Sequence, residues 1–372
     1  MFLYTVYILY GESIQEKIFV RILVMFVWIE KKTEIFTIKL LWNNIYFWIV
    51  TLMYIPLHWH STFSFLEALG QPKDIVKRAK ELWFTAIAIT DYNGMFWVPS
   101  FFLASKDSKN PEDESDKWVK AIFGLEIWFV MDLKSSGIWK NIWNLCLLAE
   151  TDQWYHNMME LIAYANQTGF TNWTQKLDLN VLKEKSEWIR VFTGWEMSWI
   201  SKMLSAWESE AKIREIYDML REIFGEKCYL EITAQDETLL PITKKVNKFI
   251  YNLAKQTNTK LIVDNEYRYL KEKDKEAWEI ALSIKDWTKM YDANRRKPAG
   301  KYHIMDWEEI REICIKNWYK AEEVDEWMEN NGNIAKDLNA SMLLNQKLFP
   351  KYKTPEHIQA YYDKYWATSI EY

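Results

Sequence analysis

From residue 54 onward, seven short apolar runs alternate with amphipathic segments. This alternation constrains the fold more than any other feature of the chain. The runs are YIPLHWHS (54–61), AIAITDY (86–92), KAIFGLEIWF (120–129), NIWNLCLLAE (141–150), WIRVFTG (188–194), CYLEIT (228–233) and KLIVDNEY (260–267). Between them, apolar residues recur at helical spacing over 72–82, 95–106, 152–166, 209–224, 241–256 and 272–284. Runs this short and this continuously apolar read as strands buried on both faces. Buried strands separated by helices predict an α/β fold, a seven-stranded parallel β/α barrel of TIM-like kind. In such barrels functional side chains project from the C-terminal strand ends. His58, His60, Asp91, Glu126, Asn144, Glu231 and Glu266 all fall at or near such ends.

His58 and His60 carry the sharpest chemical signal. Residues i and i+2 of an extended strand face the same side, so the pair aims two imidazoles at one point. Asp91, at the end of the next run, adds a carboxylate, and two imidazoles with a carboxylate suit a divalent metal. The other histidines, His156, His303 and His357, stand in helical or polar contexts and are read as ordinary surface or helix residues.

Composition excludes some classes. A net charge of −5 gives no global basic signature for nucleic acid, so any contact with DNA would have to come from a local cluster such as NRRKPAGK (294–301). Cys146, Cys228 and Cys314 are too widely spaced for a zinc ribbon or a disulfide framework and fit a reducing compartment. The stretch 1–52 is apolar, but Asn43 and Asn44 interrupt it. Its unbroken part falls short of the ~20 residues of a membrane span. It is read as an N-terminal extension lying upstream of a start at Met53, and no membrane contact is expected.

Tryptophan and glycine are both out of proportion, with 22 Trp against 10 Gly. Ordinary usage of about 7% would give roughly 26 glycines. Several tryptophans stand where the chain should turn: Trp83, between a helical segment and a strand, and Trp154, Trp188 and Trp287 in similar contexts. Indole has no packing rationale at such punctuation points, whereas glycine does. Many of these positions are therefore expected to be UGA codons that the source reads as glycine, Trp59 and Trp195 being further candidates.

The segment LHWHSTFSFLEALGQPKDIVKRAKELWFTAIAITDYNGMFWV (57–98) resembles the PHP domain at the N-terminus of bacterial DNA polymerase III alpha subunits. The likeness continues through FGLEI, NLCLLAETDQWYHNMMELIAYANQTGF, LDLNVLKEKSEWIRVFTG, YLEI and LIVDNEYRYL, then past the barrel into KYHIMDWEEIREIC, NIAKDLN and KLFPKYKTPEHIQAYYDKYW. It implies a distorted PHP barrel over 53–290, followed over 291–372 by a basic loop and helices leading toward a polymerase palm. That palm, with its magnesium-binding aspartates, is not in this sequence, so the chain is expected to be a fragment unable to synthesise DNA. Expected partners are the polymerase core of the same protein or of a split product, a proofreading subunit and DNA, in the cytoplasm.

PHP domains with full motifs hold two or three metal ions and hydrolyse phosphoesters. By this resemblance His58, His60, Asp91 and Glu126 match ligands, and Glu67 and Glu266 stand where aspartates are usual. Tyr92, Asn144 and Arg268 replace histidines, and Trp195 lies where a cysteine is common. Arginine has no lone pair for a metal. Arg268 is expected to replace the ion electrostatically by pairing with two carboxylates. The expectation is thus a structural domain with a degenerate site and no obligatory cofactor, a divalent ion (zinc, manganese or magnesium) being the one candidate. A metal-dependent phosphoesterase or 3′→5′ exonuclease is the alternative.

Overall fold

The computed structural model describes residues 54–342 apart from 110–117, 132, 134–141, 171–173 and 188. The N-terminal extension, Trp188 and the segment from 343, with His357, lie outside the described residues.

Seven strands form one curled sheet: β1 (Ala86–Ile89), β2 (Lys120–Val130), β3 (Trp143–Ala149), β4 (Leu177–Asp178), β5 (Ile189–Thr193), β6 (Cys228–Thr233) and β7 (Leu261–Asp264). The order is β1-β2-β3-β5-β6-β7, with β4 a short partner of β2. Two expectations need correction. The sheet is not all parallel, because β3 runs antiparallel to both β2 and β5. Only residues 131–142 connect β2 to β3, about the shortest crossover a parallel pair tolerates, and they lack helical periodicity. The seventh strand is also not the expected one. Segment 54–61 is extended but forms only an isolated bridge, Trp59 to Tyr267, whereas β4 was not anticipated.

That first segment nevertheless closes the barrel. On one side the amides of Ala88 and Thr90 donate to the carbonyls of Pro56 and Trp59, at 3.0 and 2.8 Å. On the other, His60 donates to Tyr267 and Tyr267 donates back to His58, both at 3.0 Å. The two histidines thus sit between β1 and the chain leaving β7.

The helices are α1 (Pro72–Glu81), α2 (Val98–Asp107), α3 (Asp152–Gln167), α4 (Leu179–Glu184), α5 (Trp199–Ser205), α6 (Glu210–Phe224), α7 (Pro241–Thr257), α8 (Lys275–Lys285), α9 (Trp307–Lys316) and α10 (Ala321–Asp337). Local chemistry sets their ends. Pro72 and Pro241 occupy first-turn positions whose amides have no helical partner, and Ser198, Ser209 and Asp306 cap through their side chains. The short helices α4 and α5 escaped the sequence reading, since six or seven residues hold too few turns to show a period.

The barrel interior changes character along its axis. At one end Ile55, Leu57, Ala86, Ala88, Ile122, Leu148 and Tyr229 pack with Ile334, Ala335 and Leu338 from the end of α10. The chain past 290 therefore plugs the barrel. Buried Asn331 of α10 bonds the backbone of β7 and of the first segment, accepting from Val263 N (3.1 Å) and donating to Val263 O (2.9 Å) and Ile55 O (3.1 Å). Stepping along β2 by two residues leads from Ile122 through Gly124 to Glu126. At Gly124 a Cβ would lie 2.5 Å from Thr90 Cγ2 and 2.8 Å from Leu148 Cδ2, so the barrel narrows there to glycine width. Beyond it the interior becomes ionisable.

Candidate metal centre

Four side chains converge at that ionisable end. His58 and His60 come from the first segment, Glu126 from β2, and Glu266 from two residues past β7, where its backbone has φ +48°. The ligating atoms of all four lie within 4.8 Å of one another, and all four residues are buried. His60 Nε2 is 3.2 Å and His58 Nε2 3.6 Å from Glu126 Oε2, and His60 Nε2 is 4.0 Å from Glu266 Oε1. The far side of each imidazole is held: His58 Nδ1 pairs with Glu231 Oε2 at 3.0 Å, and His60 Nδ1 with Ser64 Oγ at 3.1 Å. This arrangement turns both Nε2 atoms toward the common point. Neither Nε2, nor Glu126 Oε2, makes a hydrogen bond of acceptable geometry. Buried polar atoms without partners are rare in native interiors, and here they share one focus. The donor set fits one divalent ion.

The other expected ligands lie elsewhere. Asp91 is buried but turned to its own loop, accepting from the amide and hydroxyl of Ser61 and the hydroxyl of Ser64. Glu67 is further out, paired with Lys285 at 2.6 Å and Arg296 at 3.0 Å. The basic loop around 294–301 is correspondingly engaged, since Arg295 pairs with Glu279 and Arg296 with Glu67 and Asp286.

The four departures from the ligand pattern all border the cluster. Arg268 donates through Nη2 to Glu266 Oε1 and, at 2.6 Å, to the Tyr92 hydroxyl. Its fork reaches one carboxylate and a phenol, not the two carboxylates expected, because Tyr92 stands on the approach. The Tyr92 ring lies 4.4 Å from the His60 ring. Asn144 donates to Glu126 Oε1 at 2.6 Å, and Trp195 meets His58 edge-on at 4.7 Å. Arg268 and Asn144 thus each engage one carboxylate oxygen that an additional ion would need. Among the described residues, His58, His60, Glu126 and Glu266 are the group whose ligating atoms converge in this way.

Burial and neighbouring charge pull the titrations apart. Burial alone would lower His58, but its pairing with the Glu231 carboxylate and the nearby charge of Glu126 push it up to about 10. Burial and the nearby Arg268 charge push His60 down to about 3. Burial raises Glu266 to about 7 against the pull of Arg268, and raises Asp91 to about 6. Glu126 is held well below the usual carboxylate range by both histidines, although burial opposes it. Without an ion His58 is thus the imidazole that favours the proton, and an ion at its Nε2 would have to displace that proton, whereas His60 favours the neutral form.

Glu231 and Asp264 complete the buried acid set and were not among the expected ligands. Asp264 accepts from Leu57 N at 2.6 Å and is raised to about 8 by burial and by Glu231. The available signal was an acid inside a continuously apolar run, in CYLEIT and in KLIVDNEY.

A buried histidine–carboxylate cluster at the C-terminal end of a distorted, plugged β/α barrel defines a class. Residues 56–235 match the PHP domain family. The similarity then runs on to one kind of protein, the DNA polymerase III alpha subunit. The chain is 27% identical over 314 residues to that of Deinococcus radiodurans, covering 81% of this chain and 22% of the relative. It is 25% identical over 319 residues to that of Thermus aquaticus, covering 82% and 24%. The chain spans about a quarter of the length of these curated relatives. Among solved structures, an amidohydrolase from Chromobacterium violaceum aligns with 58% of this chain and 88% of its own at 10% identity and a TM-score of 0.38. Among the described residues no helix is long and apolar enough to cross a membrane.

Proposed function

We propose that the chain is the PHP-domain region of a replicative DNA polymerase III alpha subunit, in which the barrel serves structurally and its site is degenerate. One observation carries the degenerate reading: a buried guanidinium, Arg268, lies within the cluster and binds Glu266. A fixed cation there offsets the repulsion among Glu126, Glu231 and Glu266 without an ion. In this reading residues 53–290 are the barrel and 291–372 lead toward the polymerase core. The partners are that core, a proofreading subunit and DNA, in the cytoplasm.

The second reading, a metal-dependent phosphoesterase or 3′→5′ exonuclease, is favoured by the unpaired Nε2 atoms of His58 and His60 and by Glu126 Oε2. These three residues would hold one ion, which when bound would supply a Lewis acid and an activated water. The chain's own residues then orient the imidazoles (Glu231, Ser64) and present one fixed positive charge (Arg268). Arg268 on Glu266 and Asn144 on Glu126 would compete with any further ion, which disfavours a clamp of two or three. The test is hydrolysis of a nucleotide phosphoester and of single-stranded DNA by the purified chain, with and without zinc, manganese or magnesium. The structural reading predicts no turnover. Turnover that a chelator abolishes and the ion restores, and that is lost in His60→Asn, overturns it.

A third proposal concerns composition. Part of the 22 tryptophans are read as glycine in the source, which the deficit of glycine supports.

A further inference from the structure

Eight non-glycine residues among those described have positive φ, and four of them are tryptophan: Trp83 (62°), Trp207 (58°), Trp287 (54°) and Trp318 (72°). Each stands one residue past a helix cap: Leu82 for α1, Ala206 for α5, Asp286 for α8 and Asn317 for α9. All four repeat one hydrogen-bond pattern. The tryptophan amide donates to the carbonyl three residues back, that of Lys80, Leu204, Ile284 or Ile315. The next amide, of Phe84, Glu208, Thr288 or Tyr319, donates to the carbonyl five residues back, that of Ala79, Met203, Ser283 or Cys314. This is the Schellman ending, in which the residue after the cap must be left-handed and is usually glycine. Elsewhere the chain places glycine or asparagine where the backbone turns to positive φ after a helix. Gly225 (φ 58°) follows α6, and Asn258 (φ 49°) follows α7.

Tryptophan is a poor choice at these four points for two independent reasons. Its Cβ clashes in the left-handed region, a penalty glycine escapes. Its indole also recovers little, being 70, 88, 96 and 94% exposed at the four positions in turn. Lys245 sits 4.7 Å over the Trp207 ring, a weak contact at an exposed site. The two turn-context tryptophans of the sequence reading that the structure places in this way are Trp83 and Trp287. Trp207 and Trp318 are new, whereas Trp154 lies buried in the first turn of α3.

We infer that positions 83, 207, 287 and 318 are glycine in the protein as its own cell makes it, each codon being read there by a glycine-accepting tRNA. The assignment rests on the proposal that tryptophan and glycine share a codon misreading in this chain, and it adds which positions are affected. It also removes one apparent binding surface. An open apolar groove of about 690 Å³ is lined by Phe65, Leu66, Ile284 and Trp287, and a glycine at 287 takes away one of its walls.

The direct test is tandem mass spectrometry of peptides from the chain isolated from its native cells. Glycine at all four positions is expected. Tryptophan at these four with glycine at other tryptophan positions overturns the assignment and leaves recoding standing. Tryptophan throughout overturns both. A second test uses recombinant chain carrying either four glycines or four alanines at these positions. Both remove the indoles, and only glycine relieves the left-handed backbone. The glycine variant should favour the folded state by about fivefold per site over the alanine variant. Equal stabilities would overturn the assignment.

Discussion

Replacing Arg268 by methionine should cost more than removing Arg268 and its acidic partner together. The guanidinium and Glu266 are 6% and 1% exposed, so neither end of the pair is solvated. Loss of the arginine leaves Glu266 facing Glu126 and Glu231 with no cation but His58, and strips Tyr92 of its donor. Breaking a buried pair from one side costs about 3–5 kcal/mol. The lower end applies here, because Glu266 already titrates near 7 and can take up a proton. The sign follows from that value. A carboxyl raised from its unfolded range to about 7 binds protons more tightly in the folded state, so stability falls as pH climbs from about 4 to 7. Without Arg268 the folded value rises further and the loss continues to higher pH. The deficit of Arg268→Met should therefore be about 1 kcal/mol larger at pH 8 than at pH 6. The double variant Arg268→Met/Glu266→Gln should recover about 2 kcal/mol of it. Urea denaturation of the unmodified chain, Arg268→Met, Glu266→Gln and the double variant at both pH values reads this directly. Additive effects, or a deficit that shrinks at pH 8, would refute the view of Arg268 as a fixed counter-cation.

Other substitutions probe the frame around the site. Gly124→Ala forces a methyl against Thr90 and Leu148 and should cost about 1–3 kcal/mol in a denaturation titration, with partial relief from Thr90→Ser. Asn331→Ala leaves the amide of Val263 and two carbonyls unpaired inside the barrel. A loss of about 2–3 kcal/mol is expected, and a loss as small as that of an exposed asparagine would show that α10 does not hold the barrel closed. Arg296→Ala removes a half-exposed pair with Glu67 and should change stability by no more than about 1 kcal/mol, diminishing further in high salt.

Much of this was legible in the sequence because barrel strands are buried on both faces. CYLEIT was bounded at Cys228–Thr233, and the helical periods located six of the eight helices described before residue 290 to within about three residues at each end. Strand direction was not legible: nothing in NIWNLCLLAE distinguishes a strand running antiparallel to its neighbours from a parallel one, since both are fully buried. That His58 and His60 face one point could be read from their spacing, whereas Glu126 and Glu266 were singled out as ligands by the family resemblance. The outward pairing of Glu67 could not be read, because its partners Lys285 and Arg296 lie more than two hundred residues away in sequence. Asp91 was misplaced for a local reason, as Ser61 and Ser64 saturate its oxygens. Left-handed backbone at Trp207 and Trp318 was hidden because one helix was too short to recognise and the other ended within a polar stretch.

The central claim is that Arg268 fills the role of an ion in this barrel and leaves ligands for at most one. Metal content by mass spectrometry, measured on the purified chain and on Arg268→His after equilibration with zinc or manganese, tests it most directly. The account predicts no more than one ion per chain for the unmodified protein and a higher number once histidine replaces arginine. Two or three ions per unmodified chain would contradict it.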